Sequence, residues 1–147
     1  MPKRLVIAAS AAALCVALAI PLAASAGTVI SSQLTAGQIV NPNGGDRDGT
    51  ASIRLRVNRV KQRICYRITY RNLDKVTGSH LHKGAKGEIA RPILTLFEGN
   101  QASPARGCLR DVRKRVVKRL KRKPAAHYVD IDTKAYPDGA LRGQLSD

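Results

Sequence analysis

Residues 53–70 read IRLRVNRVKQRICYRITY. Ile53, Leu55 and Val57 alternate with Arg54, Arg56 and Asn58. Successive side chains of a strand point to opposite faces, so this run is a strand with one apolar face and one wet face. After the short polar connection Lys61-Gln62-Arg63 the alternation resumes. Ile64, Tyr66, Ile68 and Tyr70 fall on one side, Cys65, Arg67 and Thr69 on the other. Two such runs joined by a few polar residues predict an antiparallel hairpin. Cys65 points away from the apolar stripe of its strand, toward whatever carries its partner.

The same signals recur along the chain. Residues 41–50, NPNGGDRDGT, are turn chemistry. His80-Leu81-His82 follows a glycine-containing turn, and residues 83–87 (KGAKG) read as loop. Residues 92–97 (PILTLF) read as a short strand opened by Pro92, where a missing N–H is tolerated. Residues 98–107, EGNQASPARG, read as loop. Val129 and Ile131 then alternate with Tyr128, Asp130 and Asp132. Pro137-Asp138-Gly139 marks a turn before a last strand at 141–145 (LRGQL), so a second hairpin ends the sequence. Frequent turns and many short strands predict a mainly β protein, an antiparallel sandwich or barrel.

Residues 108–123, CLRDVRKRVVKRLKRK, break the period of two. Leu109, Val112, Val116 and Leu120 recur three to four apart, which predicts one basic amphipathic helix ended by Pro124. Its polar side holds Arg110, Arg113, Lys114, Arg115, Lys118, Arg119, Lys121, Arg122 and Lys123, opposed only by Asp111. So lopsided a face gains little from internal ion pairs. It is either a solvated face or a polyanion contact made by Arg113, Lys114, Arg115, Lys118, Arg119, Lys121 and Arg122. Such a contact would weaken with salt.

Residues 1–26 are expected to be a secretory signal peptide. Lys3 and Arg4 precede the apolar run LVIAASAAALCVALAI, and Ala24 and Ala26 supply small residues before Gly27. The mature domain is then 27–147, a single domain by length, and secreted, extracellular or in the cell envelope. No later apolar run is long enough to span a bilayer, so an integral membrane protein is not expected after cleavage. The full chain carries 26 basic and 10 acidic residues; Lys3 and Arg4 leave with the leader, and the remainder is +14. That charge draws the chain to polyanions, whether an anionic wall polymer, an acidic polysaccharide, a lipid surface or released nucleic acid, and does not choose among them. Sequence-specific nucleic-acid recognition is not expected, since no aromatic residue interleaves the basic run. Cys65 and Cys108 are the two cysteines left, and an oxidising compartment predicts one disulfide between them.

Signatures of catalysis are missing from the sequence: no G-x-S-x-G, no H-E-x-x-H, no phosphate-cradling glycine loop and no C-x-x-C pair. Glu88 and Glu98 are the only glutamates, and both read as loop residues. A non-catalytic binding module is the expectation.

Residues 77–84, TGSHLHKG, place His80 and His82 two apart, on one face of an extended segment. This stretch and three others resemble the CHRD domain, the module repeated in chordin and carried singly by exported bacterial proteins. YVDIDTKAYPDGALRGQL (128–145) is similar to the family's tail, YVNIHT followed by P-G-G-E-I-R-G-Q-L. From Thr77, TGSHLHKGAKG is similar to T-x-x-H-I-H-x-G-x-x-G. GTASIRLRV (49–57) and LTAG (34–37) resemble the opening strand and the segment before it. The resemblance covers nearly all of 27–147. It implies an immunoglobulin-like or copper/zinc superoxide-dismutase-like β-sandwich and carries no catalytic activity. In chordin the module belongs to an extracellular protein that binds growth factors. Three positions depart from the family: its tail histidine falls on Asp132, its glutamate on Ala140 and its asparagine on Asp130, while Arg142 and Gln144 are kept. A three-histidine cluster is therefore not expected.

With Asp132 as an oxygen donor, His80, His82 and Asp132 make a set that zinc or copper(II) accepts. The alternative is a purely structural exported domain, its histidines hydrogen-bonded at a sheet edge with Asp132 or Arg142 among the partners; a further one is a plain charge-assisted contact that titrates near neutral pH. His127 reads as an exposed linker residue. Arg142 reads as a partner of Asp130 or Asp132.

Overall fold

A computed structural model describes residues 27–147; the expected leader, 1–26, lies outside the described residues. The hairpin forms as its two faces dictate. Strands β2 (Thr50–Asn58) and β3 (Arg63–Arg71) pair antiparallel with Ile53 opposite Ile68, Leu55 opposite Tyr66 and Val57 opposite Ile64. All six of these side chains are buried. A shift of one residue would turn every one of them to solvent, so burial fixes the register.

β1 (Thr28–Leu34) and β6 (Ala105–Leu109) complete a four-stranded sheet of order β1-β2-β3-β6. The second sheet has the order β5-β4-β7-β8, built from β5 (Pro92–Glu98), β4 (Val76–Lys83), β7 (His127–Thr133) and β8 (Leu141–Gln144). All pairings are antiparallel. The sheets pack on one core that joins Ile30, Leu55 and Ile68 of the first to Leu81, Val129, Ile131 and Leu141 of the second. Each such side chain, taken fully out of water, contributes roughly 1.5–3 kcal/mol before entropy is counted. The mainly β, two-sheet architecture is the one expected. No helix of the described residues is long and apolar enough to cross a membrane.

One pair of edges is stitched together. Ser31 and Ser146 exchange backbone hydrogen bonds of 2.8 and 2.9 Å, and Thr35 and Arg142 exchange bonds of 2.9 and 3.2 Å. Gly143 permits this approach: a Cβ there would sit 2.5 Å from Ser32 Oγ and 2.7 Å from the Gln33 carbonyl oxygen.

The basic helix is shorter than its periodicity implies. Helix α1 spans Lys114–Arg122, while Cys108 and Leu109 belong to β6, inside the stretch read as loop and helix start. Long-range pairing wins over local period: Cys108 sits opposite Cys65 in register, and the two form the expected disulfide, with S–S 2.05 Å. Asp111, at φ 53°, turns the chain out of the strand before Arg113 caps the helix. Val117 and Leu120 are buried, so the apolar side of α1 is spent on the core. Glu98 ends β5 and is not a loop residue.

Candidate metal centre

The outer face of the second sheet collects the polar residues of both family-like motifs. Leu81 of β4, Val129 and Ile131 of β7 and Leu141 of β8 fill the core. Alternation therefore turns His80, His82, Tyr128, Asp130, Asp132, Arg142 and Gln144 outward. The register then sets neighbours: His80 lies opposite Asp130 and His82 opposite Tyr128, while Asp130 faces Arg142 on its other side.

His82 is held from both ends of its ring. Nδ1 lies 2.7 Å from the Ala90 carbonyl oxygen, an acceptor only, so Nδ1 carries a proton. Nε2 is buried and lies 2.8 Å from Asp130 Oδ2, yet off the line of a hydrogen bond, and no other partner among the described residues satisfies it. In the neutral ring the Nε2 lone pair lies along that same line, so it points beside the Asp130 oxygen, and two unprotonated acceptors stand 2.8 Å apart. Two acceptors so close repel unless a cation lies between them. Donors about 2.0–2.2 Å from one ion sit about 3.3–3.6 Å apart around tetrahedral zinc and about 2.8–3.1 Å apart at the right angles of tetragonal copper(II). His80, His82 and Asp130 each offer a ligand atom within 4.8 Å of the others.

His80 is surrounded by carboxylates. Its Nδ1 is 2.9 Å from Asp132 Oδ2 and 3.6 Å from Asp130 Oδ1, and its Nε2 is 3.3 Å from Glu98 Oε1. Its backbone N–H donates to Asp130 Oδ1 at 3.2 Å. Asp130 above all, then Asp132, pushes the imidazole pKa up to about 10, against the opposing effect of burial. Burial pushes both aspartates up. At Asp130 the contacts with the histidines, that of the His80 imidazolium foremost, outweigh it, and the group falls below its ordinary value. At Asp132 burial wins, helped by the Asp130 charge, and the group is raised. Asp130 is thus the firmer anion of the pair.

A second layer of contacts fixes these groups. Tyr128 stacks on His82, with ring centroids 4.5 Å apart and planes 8° from parallel, and the Arg142 guanidinium lies 3.5 Å from the Tyr128 ring centroid. Arg142 Nη1 donates to Glu88 O at 2.7 Å and Nη2 to Ala85 O at 3.0 Å. Gln144 Nε2 ties Gly84, Ala125 and His127 carbonyls at 2.8–2.9 Å. These bonds pin the loop whose Ala90 holds both His82 and the Tyr128 hydroxyl. The cluster opens on a cleft of about 600 Å³ that Ile39, Val40 and Ile89 also line. A larger cleft of about 980 Å³, between β5, β6 and α1, is lined by aliphatic and basic side chains and carries no such cluster.

His80 and His82 share this site as the motif implies, and Asp132 touches His80. The third member of the compact cluster is Asp130, which sequence spacing could not prefer over Asp132. Two other readings need correction. His127 is 2% exposed, not a surface linker residue, and its Nδ1 lies 2.9 Å from the Lys123 carbonyl oxygen. Arg142 is 4% exposed and serves loop carbonyls; the aspartates are not its ion-pair partners. Arg113, Lys114, Arg115, Lys118, Arg119, Lys121 and Arg122 are all exposed and stand outside the histidine cluster.

No curated protein and no solved structure matches the chain. The CHRD domain matches residues 30–145, a span that holds the second sheet, all of the first but the two opening residues of β1, the helix and every residue of the cluster. The chain belongs to the CHRD domain family.

Proposed function

We propose that this protein is a non-catalytic extracellular binding module that holds one copper(II) or zinc(II) ion through His80, His82 and Asp130, with Asp132 as a further oxygen donor. CHRD domains are non-catalytic scaffolds, generally extracellular. The single observation that carries the metal reading is His82 Nε2, a buried ring nitrogen 2.8 Å from Asp130 Oδ2 with no hydrogen bond among the described residues, its Nδ1–H being spent on a backbone carbonyl. That is the arrangement in which outer hydrogen bonds orient a histidine ligand. Ligation of His80 at Nδ1 leaves its Nε2–H to donate to Glu98. Export rests on the reading of residues 1–26 as a leader. The immunoglobulin-like or superoxide-dismutase-like assignment of the sandwich rests on family resemblance. Contact of the α1 basic residues with an anionic surface is a separate proposal that rests on their charge and exposure.

Calorimetric titration of the purified protein with copper(II) and zinc(II), beside His80→Ala/His82→Ala, tests it. One-to-one binding lost in the double variant supports the site. Equal weak binding in both proteins sinks it. The structural reading draws on His80, whose imidazolium is bridged by carboxylates without any metal. It predicts no stoichiometric site and a loss of stability alone.

A further inference from the structure

The outer face of the first sheet carries six arginines: Arg54 and Arg56 on β2, Arg63, Arg67 and Arg71 on β3, and Arg106 on β6. Arg67 stands directly opposite Arg54 on one side and Arg106 on the other. Like charges directly opposite on neighbouring strands are destabilising. No strand of this sheet contains an aspartate or glutamate. Among the described residues, no carboxylate is within ion-pair distance of these guanidinium groups. With strands about 4.8 Å apart, the Arg54-Arg67-Arg106 row covers about 10 Å of flat surface.

We propose that this face docks a linear polyuronate, independently of the metal centre. Guanidinium forks bind carboxylates through paired hydrogen bonds, and every charge on these strands belongs to an arginine. Ser31, Ser52 and Thr69 line a depression of about 530 Å³ together with Arg54 and Arg67. That mixture suits a polymer whose sugars bear a carboxylate and free hydroxyls. The Cys65–Cys108 disulfide joins β3 and β6 two residues along from Arg67 and Arg106, so the row is held in place before any ligand arrives. Nucleic acid fits less well. Tyr66 is buried in the core, and Tyr70, the other ring on these strands, is partly buried, which leaves no open stacking platform. A bilayer also fits less well. Val29 is the one large apolar side chain exposed on these strands, and the apolar side of α1 is already packed in the core.

The test is affinity for polygalacturonate at about 0.15 M salt, with single-stranded DNA and phosphatidylglycerol vesicles as parallel arms. Arg54→Gln/Arg67→Gln/Arg106→Gln is compared with wild type and with Lys75→Gln/Lys86→Gln/Lys134→Gln, which removes equal charge elsewhere. The arginine variant is expected to lose at least about tenfold in affinity while the lysine variant loses less than about threefold. Its melting temperature should be unchanged or higher, since like-charge opposition is relieved; Arg67→Gln alone gives the same ordering should the triple variant fold poorly. Equal losses in the two triple variants would reduce the effect to bulk charge and overturn the proposal. Absence of polygalacturonate binding, or stronger face-dependent binding to DNA or vesicles, would overturn it too.

Discussion

His82 Nε2 lies 2.8 Å from Asp130 Oδ2 while the opposite ring nitrogen is committed to Ala90 O at 2.7 Å. The contact makes Asp130, rather than Asp132, the anion on which a cation at this face depends. Asp130→Asn should therefore lower copper(II) or zinc(II) affinity much more than Asp132→Asn, by at least about tenfold between the two if each ligand contributes a full bond. Isothermal titration of both variants decides. Equal affinities would mean that the two aspartates are interchangeable neighbours of the histidines.

Without metal, two histidines give opposite pH slopes. The His80 pKa is raised from 6.5 to about 10, so its contribution is complete below about pH 6.5 and is lost as pH rises through 10. His127 is depressed, chiefly by burial. Its contribution is present above about pH 6.5 and is lost as pH falls through the folded-state value. Melting curves in chelator should show His80→Gln flattening the alkaline slope and His127→Gln flattening the acid one. Unaltered slopes in either variant would remove that residue from the account. Metal must displace the His80 proton, so binding should also release protons and tighten with rising pH.

The hairpin at 53–70 was legible because its two faces differ in polarity at nearly every step. β1, TVISSQL, was not: Val29 points outward, and Ser32 interrupts the inward row of Ile30 and Leu34. β6 hid for a different reason. Gly107 offers no side chain, its place being taken by the Tyr66 ring, so ARGCL shows no apolar stripe. The histidine pair was visible from a spacing of two. Its aspartate depends on how β7 slides along β4, with a register shift between Val76 and Gly78, and no local pattern encodes that. Burial of His127 likewise comes from packing against the turn at Pro124–Ala126.

The disulfide should matter to stability more than to the metal centre. It links the first sheet's β3 and β6 across a sequence separation of 43 residues, whereas the cluster stands on the second sheet. Chain-entropy arithmetic for such a loop gives about 4 kcal/mol. Denaturant titration of Cys65→Ala/Cys108→Ala should show a loss of that order. Metal stoichiometry measured well below the unfolding midpoint should stay at one. A lost site in a still-folded variant would link the two sheets more tightly than the contacts imply.

Gly143 should tolerate no side chain. Its missing Cβ lets β8 close on β1, where the Gln33 carbonyl oxygen would be 2.7 Å away. Gly143→Ala must either push the edges apart or strain them, a cost of about 1–3 kcal/mol. Urea unfolding measures it. Wild-type stability would show that the stitched edge yields freely.

Arg142 touches no candidate ligand, yet it governs one at a distance. Two of its guanidinium bonds hold Glu88 O and Ala85 O, and that loop delivers Ala90 O to His82 Nδ1. Its cation also rests on the Tyr128 ring that stacks against His82. Lysine keeps the charge but lacks the planar fork, so it cannot reproduce both bonds and the stacking. Arg142→Lys should therefore loosen the Ala90 contact and release the His82 tautomer. Removing outer partners of this kind typically costs about 10–100-fold in metal affinity. A merely structural arginine would lower the melting temperature and leave the metal alone. The distinguishing readout is the ¹⁵N spectrum of the His82 ring: in the wild type the proton should sit on Nδ1, and in Arg142→Lys it should exchange between the two nitrogens. An unchanged tautomer with unchanged metal affinity would confine Arg142 to holding the loop.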